Sequence, residues 1–171
     1  EKEIKEYLNE LSKKYDTYGN VRNFKTTSGK VVSVSGGNYG WKIDKTKEVQ
    51  SLIEDIKTGD EIKKEPIYLQ EAWGTRENDI GNTYVEINLT NQCLWFYKEG
   101  KLITQGDIVT GNISRGNATP QGTYMLNYKQ KNATLKGPGY SSDVKYWMPF
   151  NCNIGIHDAS WRGSFGGAIY K

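Results

Sequence analysis

The spacing of apolar residues changes partway along the chain, from a helical period to the two-residue period of β-strands. Before residue 60, two stretches carry apolar side chains every three to four positions, which predicts two amphipathic helices. From Tyr84 onward, short apolar and aromatic runs alternate with turn residues, which predicts a β-meander over residues 84–109. We therefore expect an α+β chain, with a small α+β module followed by a mostly-β domain.

The expected domain boundaries follow from this change of pattern. Residues 1–69 are predicted to form the α+β module, residues 70–82 a linker, and residues 83–171 the mostly-β domain. Within the module, Asp44 is the expected N-cap of the second helix and Gly59 its C-terminal stop.

Several shorter features of the module are also predicted. Residues 21–34 have the pattern of a small hairpin, and residues 36–40 form a glycine-rich loop. Tyr39 and Trp41 in or beside this loop either contact a ligand or pack inside the module. Residues 61–69 are expected to be extended, as an edge strand.

The second domain contains two further segments with distinct predictions. The tetrad Thr119-Pro120-Gln121-Gly122 is expected to open a strand over residues 123–128, because proline and glycine favour a turn before it. Residues 129–144 have few aliphatic side chains and are expected to be irregular, either a mobile flap or a surface loop.

The composition excludes several classes of protein. A mean hydropathy of −0.74 argues against a membrane-spanning domain, and 12% aromatic residues argue against disorder. The net charge of +3 includes no Lys/Arg block, so we expect no nucleic acid partner. One histidine and two cysteines provide neither a metal site nor a disulfide framework. Cys93 and Cys152 have apolar neighbours and are expected to be buried, inert thiols.

The only histidine, His157, follows a short apolar run at residues 154–156 and precedes a loop rich in glycine and serine. Because an unperturbed imidazole titrates near neutrality, His157 is either a general base or a hydrogen-bonded structural residue. Asp158 is adjacent on the predicted strand, so its carboxylate is not expected to orient the ring. Ser160 and Ser164 are candidate nucleophiles by proximity, which would make the protein a hydrolase.

The motifs around His157 resemble the catalytic domain of L,D-transpeptidases, the YkuD-type domain. The matching segments are a meander ending in Thr110-Gly111, T-P-Q-G at residues 119–122, Met148-Pro149-Phe150, I-G-I-H-D at residues 154–158, Trp161, and Phe165-Gly166-Gly167. The resemblance covers about residues 84–171. Residues 1–69 are similar, through weaker motifs, to the end of the substrate-binding-type domain that precedes the catalytic domain in such enzymes.

The resemblance implies a β-sandwich-like domain and a cysteine acyltransferase that forms 3→3 cross-links in peptidoglycan without a cofactor. His157 matches the family's base, while Met148, Ser160 and Trp161 are expected at the substrate wall; core packing is the alternative for Met148 and Trp161. The expected partners are donor and acceptor stem peptides and carbapenem-type inhibitors. We expect a monomer outside the cytoplasm that faces the cell wall, with a membrane-anchoring segment before Glu1 in the full-length protein.

The sequence departs from the family pattern at the nucleophile. The family's Ser/Thr-x-His-Gly-Cys motif is absent from these 171 residues, and neither Cys93 nor Cys152 matches it. The nucleophile is therefore expected beyond Lys171, so that the catalytic domain is incomplete at its C-terminus and this chain alone is inactive. The alternative function is a noncatalytic wall-binding module that uses Tyr39, Trp41 and the glycine-rich loops to hold glycan or peptide.

Overall fold

The computed structural model describes residues 1–167, which contain two α-helices and four small antiparallel sheets. In chain order the elements are α1 (Lys2–Tyr15), β1 (Arg22–Lys25), β2 (Val31–Val34), β3 (Lys42–Ile43), α2 (Lys45–Thr58), β4 (Tyr68–Gln70), β5 (Tyr84–Asn88), β6 (Cys93–Lys98), β7 (Lys101–Asp107), β8 (Gln130–Gly137), β9 (Tyr140–Asn151) and β10 (Ile154–His157). The sheets are β1-β2, β3-β4, β5-β6-β7 and β10-β9-β8. The predicted α+β class is confirmed. Neither helix within residues 1–167 has the length and apolarity that a membrane crossing requires.

Both helices form where the helical period predicted them. The Asp44 carboxylate accepts a hydrogen bond from the Lys47 amide at 3.1 Å, so it caps the first turn of α2. Gly59 ends α2 in the left-handed conformation with φ of 72°, which costs glycine no steric strain. Leu8 of α1 and Val49 of α2 are buried, as their positions on the apolar faces of the two helices predict.

The hairpin β1-β2 and the meander β5-β6-β7 also form as predicted. Residues 61–69 were predicted to be extended, but only their last two residues belong to a strand. That strand is β4, which pairs with the two-residue strand β3. The sequence pattern did not indicate β3, because two residues are too short to show an alternating period.

Two predictions for the second domain were wrong. Residues 123–128 form no strand, and only Thr123 makes an isolated bridge, to Gly37. Residues 129–144 are not irregular, because β8 and β9 pair there as a long antiparallel hairpin. Most side chains of residues 129–144 are exposed. Only Ala133, Leu135 and Val144 in this range belong to the apolar cluster, which Trp147 completes further along β9, so the polar remainder of the range had the composition of a loop.

The segment predicted as a linker, residues 70–82, is bound closely to the first module. The Arg22 guanidinium donates to both oxygens of Asp79, at 2.8 Å from Nε and 2.5 Å from Nη2. Thr17 donates to the same carboxylate at 2.5 Å, and Tyr39 donates its hydroxyl to the Asp79 carbonyl at 2.7 Å. Burial alone would raise the pKa of Asp79, but the hydrogen bonds from Arg22 and Thr17 lower it below its ordinary value.

A second residue of this segment, Arg76, lies among three aromatic rings of the module. Its guanidinium carbon is 5.2 Å from the centroid of Tyr15, 5.7 Å from Trp41 and 5.5 Å from Tyr68. Cation–π attraction therefore adds to the Asp79 contacts in holding residues 70–82 in place.

The module also contacts the second domain directly. Thr27, in the turn between β1 and β2, donates its amide and hydroxyl to the buried Glu86 carboxylate of β5, at 2.9 Å and 2.6 Å. The rings of Phe24 and Tyr84 meet edge to face at 5.4 Å. At the glycine-rich loop, Thr123 donates its amide to the Gly36 carbonyl at 3.1 Å.

Glycine is required where this loop meets Thr123. An added Cβ at Gly37 would lie 2.0 Å from the Thr123 carbonyl oxygen, whereas one at Gly29 would meet nothing within 4 Å. Both residues have positive φ, 92° and 84°.

Gly29→Ala should therefore cost only backbone strain of about 1–2 kcal/mol. Gly37→Ala should cost roughly 1–3 kcal/mol more from overpacking. Urea unfolding of the two variants measures the difference, and equal losses of stability would contradict this contact.

The Arg22–Asp79 pair makes a second prediction. The two side chains are only 10% and 7% exposed, so Asp79→Ala leaves a buried cation unpaired. The free energy of unfolding should fall by about 3–5 kcal/mol. The matched control is Glu54→Ala, which breaks an exposed pair with Lys57 and should change stability by about 0–1 kcal/mol.

The pH dependence of stability provides a further check on Asp79. Its pKa is lowered in the folded state, so the carboxylate stabilises the fold above the ordinary carboxylate range. That contribution is lost as the pH falls into and below this range. Acid unfolding of Asp79→Ala should therefore be less steep than that of the wild type. An unchanged acid transition would contradict the assignment.

Candidate active site

His157 lies at the end of β10, directly opposite Trp147 on β9. Cross-strand partners project from the same face of a sheet, so the imidazole and the indole lie side by side. Gly155, two residues earlier on the same face, makes room for this arrangement. An added Cβ there would come within 2.7 Å of Trp147 Cη2 and of the Met148 carbonyl oxygen. The glycine of the I-G-I-H motif is thus required because the Trp147 ring covers it.

The ring of His157 is oriented by a backbone carbonyl. Its Nδ1 lies 2.8 Å from the carbonyl oxygen of Asp158. A carbonyl oxygen can only accept, so Nδ1 carries the proton in this hydrogen bond. In the neutral ring the lone pair is then on the second nitrogen, Nε2, and the His157 side chain is exposed. This tautomer is the one that a general base acting through Nε2 requires.

The carboxylate of Asp158 has a different partner from the imidazole. Its Oδ1 accepts a hydrogen bond from the Tyr146 amide at 2.8 Å, and this bond is the main cause of a lowered Asp158 pKa. The carboxylate therefore extends the β9-β10 pairing past His157 and does not orient the ring, in agreement with the sequence prediction. The role of the Asp158 carbonyl was missed, because no side-chain pattern reports on it.

Two tryptophans flank the imidazole. The Trp147 ring centroid is 6.0 Å from that of His157, and the Trp161 centroid is 5.9 Å away with an interplanar angle of 29°. Trp147 is buried, while Trp161 is 54% exposed and lies open beside the imidazole. Trp161 was among the sequence candidates. Trp147 was not, because recognising it requires the register between β9 and β10.

The other candidate residues from the sequence, Met148, Ser160 and Ser164, differ from Trp161 in how they lie relative to His157. Met148 pairs with Ile156, so it projects from the opposite face to Trp147 and His157. Ser160 is exposed in the turn between His157 and Trp161. Within residues 1–167, neither Ser160 nor Ser164 donates a hydroxyl hydrogen bond to His157, so the geometry gives no support to a serine nucleophile.

Neither cysteine is placed as a partner of His157. Cys93 is half-buried at the start of β6, 3.4 Å from the Asp107 carboxylate, and burial and this carboxylate raise the pKa of its thiol. A raised pKa disfavours the thiolate. Cys152 occupies the turn at the opposite end of β10 from His157. Cys152 is exposed, so the prediction that it is buried was wrong. The nearby apolar residues suggested burial, but Cys152 is flanked by Asn151 and Asn153, and its turn, with φ of 49°, lies at the surface.

The segments that carried the sequence resemblance are bonded to one another. Thr119 of the T-P-Q-G tetrad accepts from the Gly111 amide at 2.9 Å. Asn127 donates its amide to the Pro149 carbonyl at 2.8 Å, and Gly166 donates to the Ile108 carbonyl at 3.0 Å. These motifs therefore form the framework around the β9-β10 pair.

Comparisons with known proteins agree with this framework. The family model described as "L,D-transpeptidase catalytic domain" (YkuD) matches residues 82–169. A second model, described as "Putative peptidoglycan binding domain", matches residues 1–63. No curated protein sequence matches the chain significantly.

Two solved structures are similar over nearly the whole chain. The crystal structure of a cysteine-to-serine mutant of Enterococcus faecium L,D-transpeptidase is 36% identical with a TM-score of 0.79, and the match covers 97% of this chain and 67% of that one. The structure of the Ldtfm–avibactam carbamoyl enzyme is 36% identical with a TM-score of 0.80, covering 99% and 68%.

The chain belongs to the L,D-transpeptidase family and is an acyltransferase of the transpeptidase class. The match of its second half to the catalytic domain confirms the resemblance inferred from the motifs. Its two family matches are both to cell-wall domains, which indicates a location outside the cytoplasm, at the wall.

The stacking of Trp161 on His157 can be tested by NMR, because the chain has a single histidine. Trp161→Ala removes an aromatic ring that shields the imidazole protons, so the His157 ring signals should move downfield. Trp73→Ala is the control, since Trp73 is 83% exposed and stacks on no described ring. Unchanged His157 signals in Trp161→Ala would contradict the arrangement.

Proposed function

We propose that this protein forms 3→3 cross-links in peptidoglycan through a cysteine acyl-enzyme, with His157 as the base. The observation that carries this proposal is the fixed tautomer of His157. With Nδ1 donating to the Asp158 carbonyl, the exposed Nε2 is free to take a proton from a thiol. The β9-β10 pairing and the two tryptophans hold the ring in place for that step.

The reaction then proceeds in two acyl transfers. The thiolate attacks the carbonyl of the third residue of a donor stem tetrapeptide, and the bond to the terminal D-Ala breaks. The D-Ala amine leaves with the proton that the imidazole had taken from the thiol. The side-chain amine of an acceptor stem next attacks the thioester, loses a proton to Nε2 of His157, and releases the thiol. No oxidant, reductant or cofactor enters either step.

We propose that the nucleophile is a cysteine that follows Lys171 in the full-length protein. Cys93 and Cys152 are unsuitable, since one is beside a carboxylate and the other lies at the far end of β10. The similar Enterococcus faecium L,D-transpeptidase was crystallised as a cysteine-to-serine mutant, which supports cysteine as the residue type to look for.

For substrate contacts we propose Trp161 and Ser160, which are exposed next to His157. Met148 pairs with Ile156 and lies on the opposite face of the sheet from His157. We therefore propose that Met148 has a supporting role, in fixing the strand that carries the base. The avibactam adduct of the similar enzyme supports the proposal that carbapenem-type inhibitors acylate this protein as well. The full-length protein is further proposed to be a monomer anchored to the membrane by an N-terminal segment.

The alternative of a noncatalytic wall-binding module loses the support of its two aromatic residues, Tyr39 and Trp41. Tyr39 is 5% exposed, with its hydroxyl bonded to the Asp79 carbonyl. Trp41 packs against Arg76 and donates its indole N–H to the Gly74 carbonyl at 3.3 Å. Both aromatic rings thus bind residues 70–82 of the chain itself.

The test of the proposed function uses the full-length protein. Incubation with a carbapenem should give a covalent adduct on a cysteine after Lys171, seen by mass spectrometry of peptides. His157→Gln should slow adduct formation by about 10²–10⁴-fold, the usual contribution of a positioned base. Ser160→Ala combined with Ser164→Ala should still form the adduct. An adduct on serine, or no cysteine in the following segment, would overturn the proposal.

A further inference from the structure

Gln92, in the turn between β5 and β6, is completely buried, at 0% exposure, and takes no part in the mechanism described above. A buried amide requires hydrogen-bond partners for its donors and for its acceptor. Its Nε2 donates to the Leu89 carbonyl at 2.6 Å and to the Thr110 hydroxyl at 2.8 Å. Its Oε1 accepts from the Thr110 amide at 2.7 Å. Both ends of the Gln92 amide are therefore occupied by fixed partners.

The backbone of Gln92 is held as firmly as its side chain. Its φ is 54°, in the left-handed region, where a residue with a Cβ is strained. Such a conformation persists only where the surrounding contacts compensate for it. Here the Gln92 carbonyl accepts from the Ile108 amide at 2.8 Å, in addition to the bonds of the side chain. Gln92 thus holds residues 108–110, which follow β7, through its backbone and its side chain together.

Residues 108–111 in turn support two segments that carried the family resemblance. The Gly111 amide donates to the hydroxyl of Thr119, in the T-P-Q-G tetrad. On the other side, the Ile108 carbonyl accepts from the Gly166 amide at 3.0 Å. The backbone approaches closely there, because a Cβ added at Gly166 would lie 3.0 Å from the Asp107 carboxylate. The end of β7 is therefore where the loop after His157 is attached.

This loop, residues 158–167, is fixed near both of its ends. At its start the Asp158 carboxylate accepts from the Tyr146 amide, and near its end Gly166 is bonded to Ile108. In the proposed function the nucleophile follows Lys171, so the loop lies between the base and the nucleophile. A shift of about 1 Å in the reacting groups can lower a rate about 100-fold. The second attachment point therefore matters for the chemistry.

We propose that Gln92 is a positioning residue for acyl transfer. Its buried amide fixes residues 108–110, on which the end of the loop after His157 rests, and it thereby helps to set the distance between the base and the nucleophile. Gln92 acts through Ile108 and Gly166 and does not contact the substrate. This inference rests on the proposed function, because it assigns a role in bringing the base and a cysteine together. In the rival interpretation, Gln92 stabilises the turn between β5 and β6 and has no effect on the site.

The first experiment uses Gln92→Met in the full-length protein, since methionine has a similar length but lacks the amide. Acylation by a carbapenem is measured against carbapenem concentration, well below the unfolding temperature. The rate constant at saturation should fall about 10- to 100-fold, while the half-saturating concentration changes little, because positioning acts on the chemical step. The Gly166 amide signal should shift in the NMR spectrum. Gln105→Met is the matched control, because Gln105 is exposed on β7, and it should be acylated like the wild type.

The second experiment uses Gln92→Glu, which also decides the matter if Gln92→Met does not fold. An ionised carboxylate can accept from the Thr110 amide but cannot donate to the Leu89 carbonyl, whereas the protonated acid can do both. The acylation rate of this variant, divided by that of the wild type at the same pH, should therefore rise as the pH falls. The His157 ring signals identify the pH range in which both proteins are folded.

Several results would overturn the role of Gln92. A wild-type acylation rate in Gln92→Met would do so, as would slow acylation with an unmoved Gly166 signal. A ratio for Gln92→Glu that does not change with pH would also overturn it. If the wild type forms a cysteine adduct and these variants behave like it, only this inference is rejected. If the wild type forms no cysteine adduct, the proposed function itself is rejected.

Discussion

The arrangement of the two halves of the chain depends on the buried ion pair between Arg22 and Asp79. Besides this carboxylate, the guanidinium donates to the carbonyl oxygens of Thr17 and Tyr39, each at 2.9 Å. Removing two charges from water is costly, and a buried pair stabilises a fold only when its polar atoms are satisfied. Here the polar atoms of both Arg22 and Asp79 have hydrogen-bond partners. The stabilisation from this pair therefore depends on keeping that geometry. The Arg22 side chain thus connects the first hairpin, the segment after α1 and the glycine-rich loop to residues 70–82, which lead into the second domain.

From this contact a series of backbone contacts leads to His157. Gly37 bridges to Thr123, and Asn127 of the same segment donates to the Pro149 carbonyl of β9. Pro149 pairs with Gly155, two residues before His157. The register of β9 against β10 determines where the imidazole emerges beside Trp147. The first module thus contributes to the framework that carries His157.

The sequence predicted those features whose signal is local. Asp44 caps α2, and the period of residues 84–109 indicated the meander, because each depends on neighbours within a few positions. The contacts of Trp147 with His157, and of Asp79 with Arg22, join residues whose pairing no local pattern reports. The β8-β9 hairpin was missed for a related reason. Its exposed faces need no apolar alternation, since its stability comes from pairing with a neighbouring strand and from a small apolar cluster.

The choice of a backbone carbonyl to orient His157 has a chemical consequence. A carboxylate hydrogen-bonded to the ring would stabilise the imidazolium and favour retention of the proton. The Asp158 carbonyl fixes the same tautomer without adding a negative charge, and the Asp158 carboxylate is held away by the Tyr146 amide. In the proposed two-step transfer the imidazole must accept a proton from the thiol and then release it to the departing D-Ala amine. A neutral acceptor behind the ring suits that alternation, because it orients the imidazole without placing a negative charge beside it.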